Sequence, residues 1–162
     1  MPRDSAFGIG PAIAPADIVA VGGLFRAYAD SLGVDLGYQG FAAELAGLPG
    51  KYAPPGGALL LARDAKGLPL GCVALRPLLP DICEMKRLYV TPAGRGRGLG
   101  RALAEAILDT AAALGYREMR LDTLPEMRDA QRLYAALGFR PIAAYYDTPV
   151  AGTVFLGRAL PR

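Results

Sequence analysis

The sequence predicts an α/β domain built on a mixed, mostly antiparallel sheet of about seven strands flanked by four helices. Short apolar runs of strand length alternate with segments whose apolar residues recur every three or four positions. Glycine and proline, 21 and 14 of the 162 residues, mark the joints between them. No repeat or low-complexity tract divides the chain, so one domain over 1–162 is expected, long enough to bury a single core.

Phe7 to Ile13 is the first strand, weakly patterned. Pro15 to Leu32 reads as a helix, with Asp17 in its first turn, Ile18, Val21, Leu24, Phe25 and Tyr28 on one face, and Gly33 as its stop. Phe41 to Leu48 is a shorter helix, after which Pro54-Pro55-Gly56-Gly57 punctuates the chain. Ala58 to Arg63 and Leu70 to Arg76, joined by Asp64-Ala65-Lys66-Gly67, read as a hairpin. A turn over Pro77 to Asp81 leads into a strand from Ile82 to Val90. Leu99, Leu103, Ile107, Ala111 and Leu114 then place an amphipathic helix over Gly98 to Leu114, closed by Gly115. Met119 to Thr123 is a strand, Glu126 to Leu137 a helix ended by Gly138, and Phe139 to Ala144 and Thr153 to Leu160 are strands. Between those last two lies a polar loop with Tyr145, Tyr146 and Asp147.

Composition removes several functions. The chain contains no histidine, which excludes Ser-His-Asp and Cys-His nucleophile systems and most catalytic zinc sites, and no metal is expected. Acid-base chemistry falls to Glu, Asp, Tyr, Lys or Cys. Cys72 and Cys83 sit in apolar strands without CxxC spacing and read as buried free thiols, although cross-strand proximity is open. No apolar run has the length of a membrane span, and Met1-Pro2-Arg3-Asp4 lacks the features of a secretory leader, so a cytoplasmic protein without membrane contact is expected. The net charge of +3 permits nucleic-acid binding, but the basic residues are not interleaved with aromatics and no nucleic-acid partner is expected.

The charge is concentrated where a strand meets a helix. After Val90, Thr91-Pro92-Ala93-Gly94 leads into Arg95-Gly96-Arg97-Gly98-Leu99-Gly100, where the helix begins. Such a turn exposes backbone N–H groups at the positive end of a helix dipole. Cations there cost roughly 0.3 to 1 kcal/mol each, and an anionic ligand reverses that sign. Arg95, Arg97 and Arg101 crowd this end, so the loop reads as an anion site. It is neither a P-loop, since Gly50-Lys51 is followed by Tyr52, nor a dinucleotide fingerprint, since the third glycine position is Arg101.

R-x-x-G-x-G between a strand and a helix resembles the acyl-CoA motif of the GNAT superfamily of N-acetyltransferases. Glu84-Met85-Lys86-Arg87-Leu88-Tyr89-Val90-Thr91-Pro92 resembles that family's fourth strand, and Ala130-Gln131-Arg132-Leu133-Tyr134-Ala135-Ala136-Leu137-Gly138-Phe139 its second signature helix. Element order agrees from about Ala58 to Leu160, with the first fifty residues fitting the variable acceptor-binding helices. The resemblance implies acetyl-CoA as cosubstrate and a primary amine of a small molecule as acceptor. A protein or peptide acetyltransferase and a non-catalytic acyl-CoA-binding module are the alternatives, and a homodimer is left open.

It also implies roles for single residues. Backbone groups of Arg95, Gly96, Arg97, Gly98, Leu99 and Gly100, with Arg101 beside them, would hold the CoA pyrophosphate, and the strand edge at Leu88, Tyr89 and Val90 would pair with the pantetheine amides. For Arg97 a solvated charge competes with a phosphate contact. Glu84 stands where several members carry the general base. Strand period puts it on the face of Lys86 and opposite Met85, and an ion pair with Arg76 or Lys86 is the competing role. Tyr134 matches the tyrosine proposed to protonate the CoA sulfur, with an ordinary core aromatic as the alternative. Met127 departs from an asparagine common in the family. Tyr38, Phe41, Arg76, Lys86, Tyr145 and Tyr146 are candidates for acceptor contact.

Overall fold

A computed structural model of the chain describes residues 6–161. The reading of Met1-Pro2-Arg3-Asp4 lies outside them. Seven strands form one sheet: β1 (Phe7–Pro11), β2 (Ala58–Asp64), β3 (Pro69–Leu79), β4 (Ile82–Val90), β5 (Glu118–Thr123), β6 (Arg140–Pro141) and β7 (Val154–Ala159). Their order is β1-β2-β3-β4-β5-β7-β6. The helices are α1 (Pro15–Ser31), α2 (Phe41–Ala46), α3 (Leu99–Ala113) and α4 (Arg128–Ala136). Only β4 and β5 run parallel, because α3 carries the chain back across the sheet between them.

The two faces are covered separately. Leu99, Leu103, Ile107 and Ala111 of α3 pack on Val73, Leu75, Met85, Met119 and Leu121, while Val21, Leu24 and Phe25 of α1 pack on Leu59, Leu61, Cys72 and Ala74. β2 and β3 are therefore buried on both sides, which explains why they read as unbroken apolar runs rather than alternating ones. Cys72 and Cys83 are buried free thiols in opposite cores, so they are not neighbours. Among the described residues, no helix is long and apolar enough to cross a membrane.

Several expected boundaries move. β3 continues through Pro77 to Leu79, leaving Pro80 and Asp81 as the turn before Ile82. Proline is tolerated because the β2 pairing ends at Ala58 with Leu75, so the missing N–H faces no partner. The strand expected over Phe139 to Ala144 shrinks to Arg140–Pro141. Phe139 turns into the core, and the pairing with β7 runs only one bond beyond Pro141, from Ile142 N–H to the Phe155 carbonyl at 2.9 Å. Leu36–Gln39 and Gly50–Tyr52, unassigned from the sequence, are 3₁₀ turns.

The departure with consequences lies inside β4. Its pairing with β3 passes from Ala74 opposite Lys86 to Cys72 opposite Tyr89, so Val73 faces two residues, Arg87 and Leu88. Arg87 takes the left-handed φ of 64° that closes this bulge, a place usually held by glycine. Its guanidinium fixes the conformation: Nε and one terminal nitrogen each donate to Glu44 at 2.9 Å, and the other donates to Gln39 Oε1 at 2.8 Å. Phe41 lies beneath, 5.1 Å from ring centroid to guanidinium carbon. The bulge bends β4 away from β5, whose pairing with it covers only Ile82 to Glu84 opposite Glu118 to Arg120.

Glu44→Ala strands a buried guanidinium and should lower stability by roughly 3 kcal/mol, because one partner of a buried ion pair is lost without its charge being removed. Replacing both residues, Glu44→Leu with Arg87→Met, should cost less than the single change. Denaturant unfolding of the two variants checks the order.

Candidate active site

Below the bulge, β4 and β5 separate and leave a cleft. Met85 and Leu88 line one wall, Leu121, Asp122 and Thr123 the other, and Met127 with Ala130 and Tyr134 of α4 close the end. From Met85 to Val90 the β4 edge that faces β5 has no strand partner. The Thr123 hydroxyl is buried there without a hydrogen-bond partner. A buried polar atom of this kind is costly unless a ligand pairs with it.

At the mouth of the cleft, Thr91 accepts from the Gly94 N–H at 3.2 Å and the chain turns through Gly96 and Gly98, at φ of 79° and 74°, into α3. The first intrahelical bond runs from Ala102 N–H to the Gly98 carbonyl at 3.1 Å. The N–H groups of Leu99, Gly100 and Arg101 are thus free at the helix start. Gly98 caps the helix without a side chain. Leu99 is buried against the sheet, so only its backbone faces the loop. Arg95 Nε reaches back to the Val90 carbonyl at 3.3 Å, and Arg101 pairs with Glu105 on the helix surface at 3.2 Å. Tyr89 points into the α1 core, edge-on to Tyr28 at 6.2 Å.

A second pocket, which shares Tyr38, Gln39 and Lys86 with the cleft, is lined further by Glu44, Arg76, Glu84, Tyr145 and Tyr146. Glu84 is buried in its floor and both carboxylate oxygens are engaged: Arg76 Nε donates to Oε1 at 2.9 Å and the Tyr145 hydroxyl to Oε2 at 2.7 Å. The cross-strand pair Arg76 with Glu84 follows from their register. Lys86 Nζ donates to Gln39 Oε1 at 3.2 Å. Because the bulge adds a residue, Lys86 and Arg87 project to the same side and share that amide oxygen. Burial pushes the Lys86 pKa down, against the pull of Glu84 and Asp122.

The Tyr145 and Tyr146 loop is fastened by aromatic contacts. The two rings lie 5.7 Å apart and stand 5.2 Å and 5.3 Å from Phe155 of β7. Tyr146 also donates to Asp122. Arg120 stacks over Tyr145 at 5.8 Å while paired with Glu118 at 2.8 Å. Burial first, then the adjacent carboxylates, hold the Tyr145 and Tyr146 phenols above the ordinary range. Burial alone does most of this for Tyr134, which packs edge-on to Phe139 at 5.7 Å.

Of the acceptor-side candidates, Tyr38, Arg76, Lys86, Tyr145 and Tyr146 therefore converge, whereas Phe41 supports Arg87 from below. Gln39, Glu44, Asp122 and Thr123 were not anticipated. Alternation along β5, with Arg120 and Asp122 set against Met119 and Leu121, was the available signal for Asp122; Gln39, in an unpatterned turn, had none.

Residues 38–139 match the acetyltransferase (GNAT) family. An uncharacterized N-acetyltransferase of Schizosaccharomyces pombe is 41% identical over 157 residues, covering 96% of both chains. YjgM of Escherichia coli, also an uncharacterized N-acetyltransferase, is 33% identical over 114 residues, 68% of each chain. Among solved structures, a GNAT-family acetyltransferase from Staphylococcus aureus superposes with a TM-score of 0.79 at 20% identity, covering 96% of this chain and all of its own. The Salmonella typhimurium protein yncA, solved with its cofactor acetyl-CoA, superposes at 0.69 with 21% identity, covering 96% of this chain and 95% of its own. The chain belongs to the GNAT acetyltransferase family. It is an acetyl-CoA-dependent N-acetyltransferase.

Tyr28, Tyr52, Tyr116, Tyr134, Tyr145 and Tyr146 all hold their protons more tightly than free tyrosine, Tyr28 being pushed up to about 12 by burial. A raised folded-state pKa gives stability that is complete below the unfolded value, about 10, and lost as pH rises past it. Ultraviolet titration at about pH 11 should show fewer tyrosinates in the folded chain than in the denaturant-unfolded chain. Stability should fall over the same interval.

Proposed function

We propose that this enzyme transfers the acetyl group of acetyl-CoA to the primary amine of a small-molecule acceptor. One observation carries the reading: the unpaired edge of β4 runs from the glycine loop to the pocket that holds Glu84. That edge offers backbone donors and acceptors to the pantetheine amides at Leu88, Tyr89 and Val90. The loop from Arg95 to Gly100 offers N–H groups to the pyrophosphate, where Gly96 and Gly98 supply left-handed turns with open space beside them. The unpartnered Thr123 hydroxyl fits a polar ligand in the same cleft. When bound, acetyl-CoA supplies an activated acetyl group as a thioester.

The chain's own residues then handle protons. Each Glu84 oxygen has one lone pair still free after its bond to Arg76 or Tyr145, so the carboxylate can accept from the acceptor nitrogen directly or through a water. Glu84 takes the proton that nitrogen sheds as its bond to the acetyl carbon forms. Tyr134, a phenol kept protonated by burial, donates to the sulfur as the carbon–sulfur bond breaks. The acceptor pocket is lined by side chains that carry both charges, Arg76, Lys86, Glu44 and Glu84, which suits a small polar amine.

Free-thiol release with acetyl-CoA across a library of small amines tests the reaction, with release expected for at least one acceptor. Glu84→Gln should reduce turnover at neutral pH by roughly 10² to 10⁴, leave acetyl-CoA affinity nearly unchanged, and recover as pH approaches the acceptor's own pKa. Wild-type turnover at neutral pH in that variant would remove Glu84 from the role. Gly98→Asp adds negative charge at a left-handed position that aspartate tolerates. The domain should fold, and calorimetry should show acetyl-CoA affinity reduced at least roughly tenfold by the charge placed at a helix N-terminus.

A further inference from the structure

The charged side chains of the acceptor pocket are unevenly paired. Glu84 is held by Arg76 and Tyr145, and Glu44 gives both its oxygens to Arg87. Lys86 has no carboxylate at ion-pair distance among the described residues. Its Nζ makes one hydrogen bond, to the neutral Gln39 Oε1 at 3.2 Å, and the residue is 8% exposed. Gln39 Oε1 also accepts from Arg87, so it has no further lone pair to give. An ammonium carries three donors, and leaving the others unused at a buried position is costly.

Lys86 stands two residues from Glu84 on the same face of β4, so the two Cα atoms lie about 6.6 Å apart along the strand. Counting the Arg87 that Glu44 holds, three cations, Arg76, Lys86 and Arg87, meet two anions, Glu44 and Glu84, in and beside the pocket. A purely cationic acceptor would add a second positive charge beside Lys86, against Glu84, already paired with Arg76, and Asp122 of β5. An acceptor that carries both an ammonium and a carboxylate adds none, and its two charges match the order of Glu84 and Lys86 along the strand.

We propose that the acceptor is an amino-acid-like amine bearing its own carboxylate, which Lys86 binds while Glu84 receives the amine. This rests on the acetyl-transfer reading above and narrows its substrate class. Arg87 cannot serve in place of Lys86, because Glu44 already occupies its fork.

The test uses the full chain and thiol release from acetyl-CoA with matched acceptors: each of a set of amino acids, its carboxamide and its decarboxylated amine. Wild type should favour the acid form by roughly tenfold to a hundredfold in kcat/KM, the range for one hydrogen bond to a charged group. Lys86→Met should bring that ratio towards one, mainly by raising KM for the acid, with folding verified by denaturant unfolding. Lys86→Gln, which keeps a polar head beside Gln39, provides the same comparison if the methionine variant fails to fold. Equal use of acids and carboxamides by wild type, or a preference that survives both substitutions, overturns the proposal while leaving acetyl transfer intact. Bound acetyl-CoA with no release from any amine overturns both.

Discussion

The architecture of the site depends on a single arginine in a backbone conformation arginine rarely adopts. Arg87 at a φ of 64° puts an extra residue into β4 and bends that strand off β5. The cost of the left-handed conformation is of order 1 kcal/mol or more for a side chain with a Cβ, and it persists because Glu44, Gln39 and Phe41 hold the guanidinium from α2 and the turn before it. The ladder between β4 and β5 ends at Glu84, just ahead of the bulge, and the cleft opens from there. The same insertion brings Lys86 and Arg87 to one side, which places a second cation next to Glu84's pocket.

The cleft divides chemically along β4. Towards α3 its surface is backbone: glycines at positive φ, an open helix start and an unpaired strand edge. Towards α1 and α2 it rests on side chains whose bonds are set by register, with Arg76 opposite Glu84 and Tyr145 brought over by its packing on Phe155. A backbone surface suits a constant cosubstrate, and a side-chain surface suits an acceptor that differs between relatives.

How much of this the sequence revealed follows from the range of the forces involved. β2, β3 and α3 were legible because burial acts through residue type at short spacing, and two covered faces leave an unbroken apolar run. The glycine loop was legible because both φ and charge are written in its residues. Glu84 and Tyr145 could be named as candidates, but their contact spans 61 positions and depends on a loop held by β7. The bulge was invisible, since nothing at Arg87 signals a left-handed φ and its cause lies in Glu44, 43 positions away. The overlong strand at Phe139 failed because Phe139 belongs to the core, edge-on to Tyr134 of α4.

The short contact between β4 and β5 also has a mechanical meaning. Among the described residues, the sheet pairing between the β1 to β4 half and the β5, β7 and β6 half is confined to Ile82 to Glu84 opposite Glu118 to Arg120, extended by one bond from Arg117 N–H to the Asp81 carbonyl at 2.8 Å. Each half keeps its own ladders, and the two spread as the arms of a V that α3 bridges, packed on Val73, Leu75 and Met85 of one arm and on Met119 and Leu121 of the other. A ligand that spans the arms would act as a tie between them, and Glu84, at the apex, would move least.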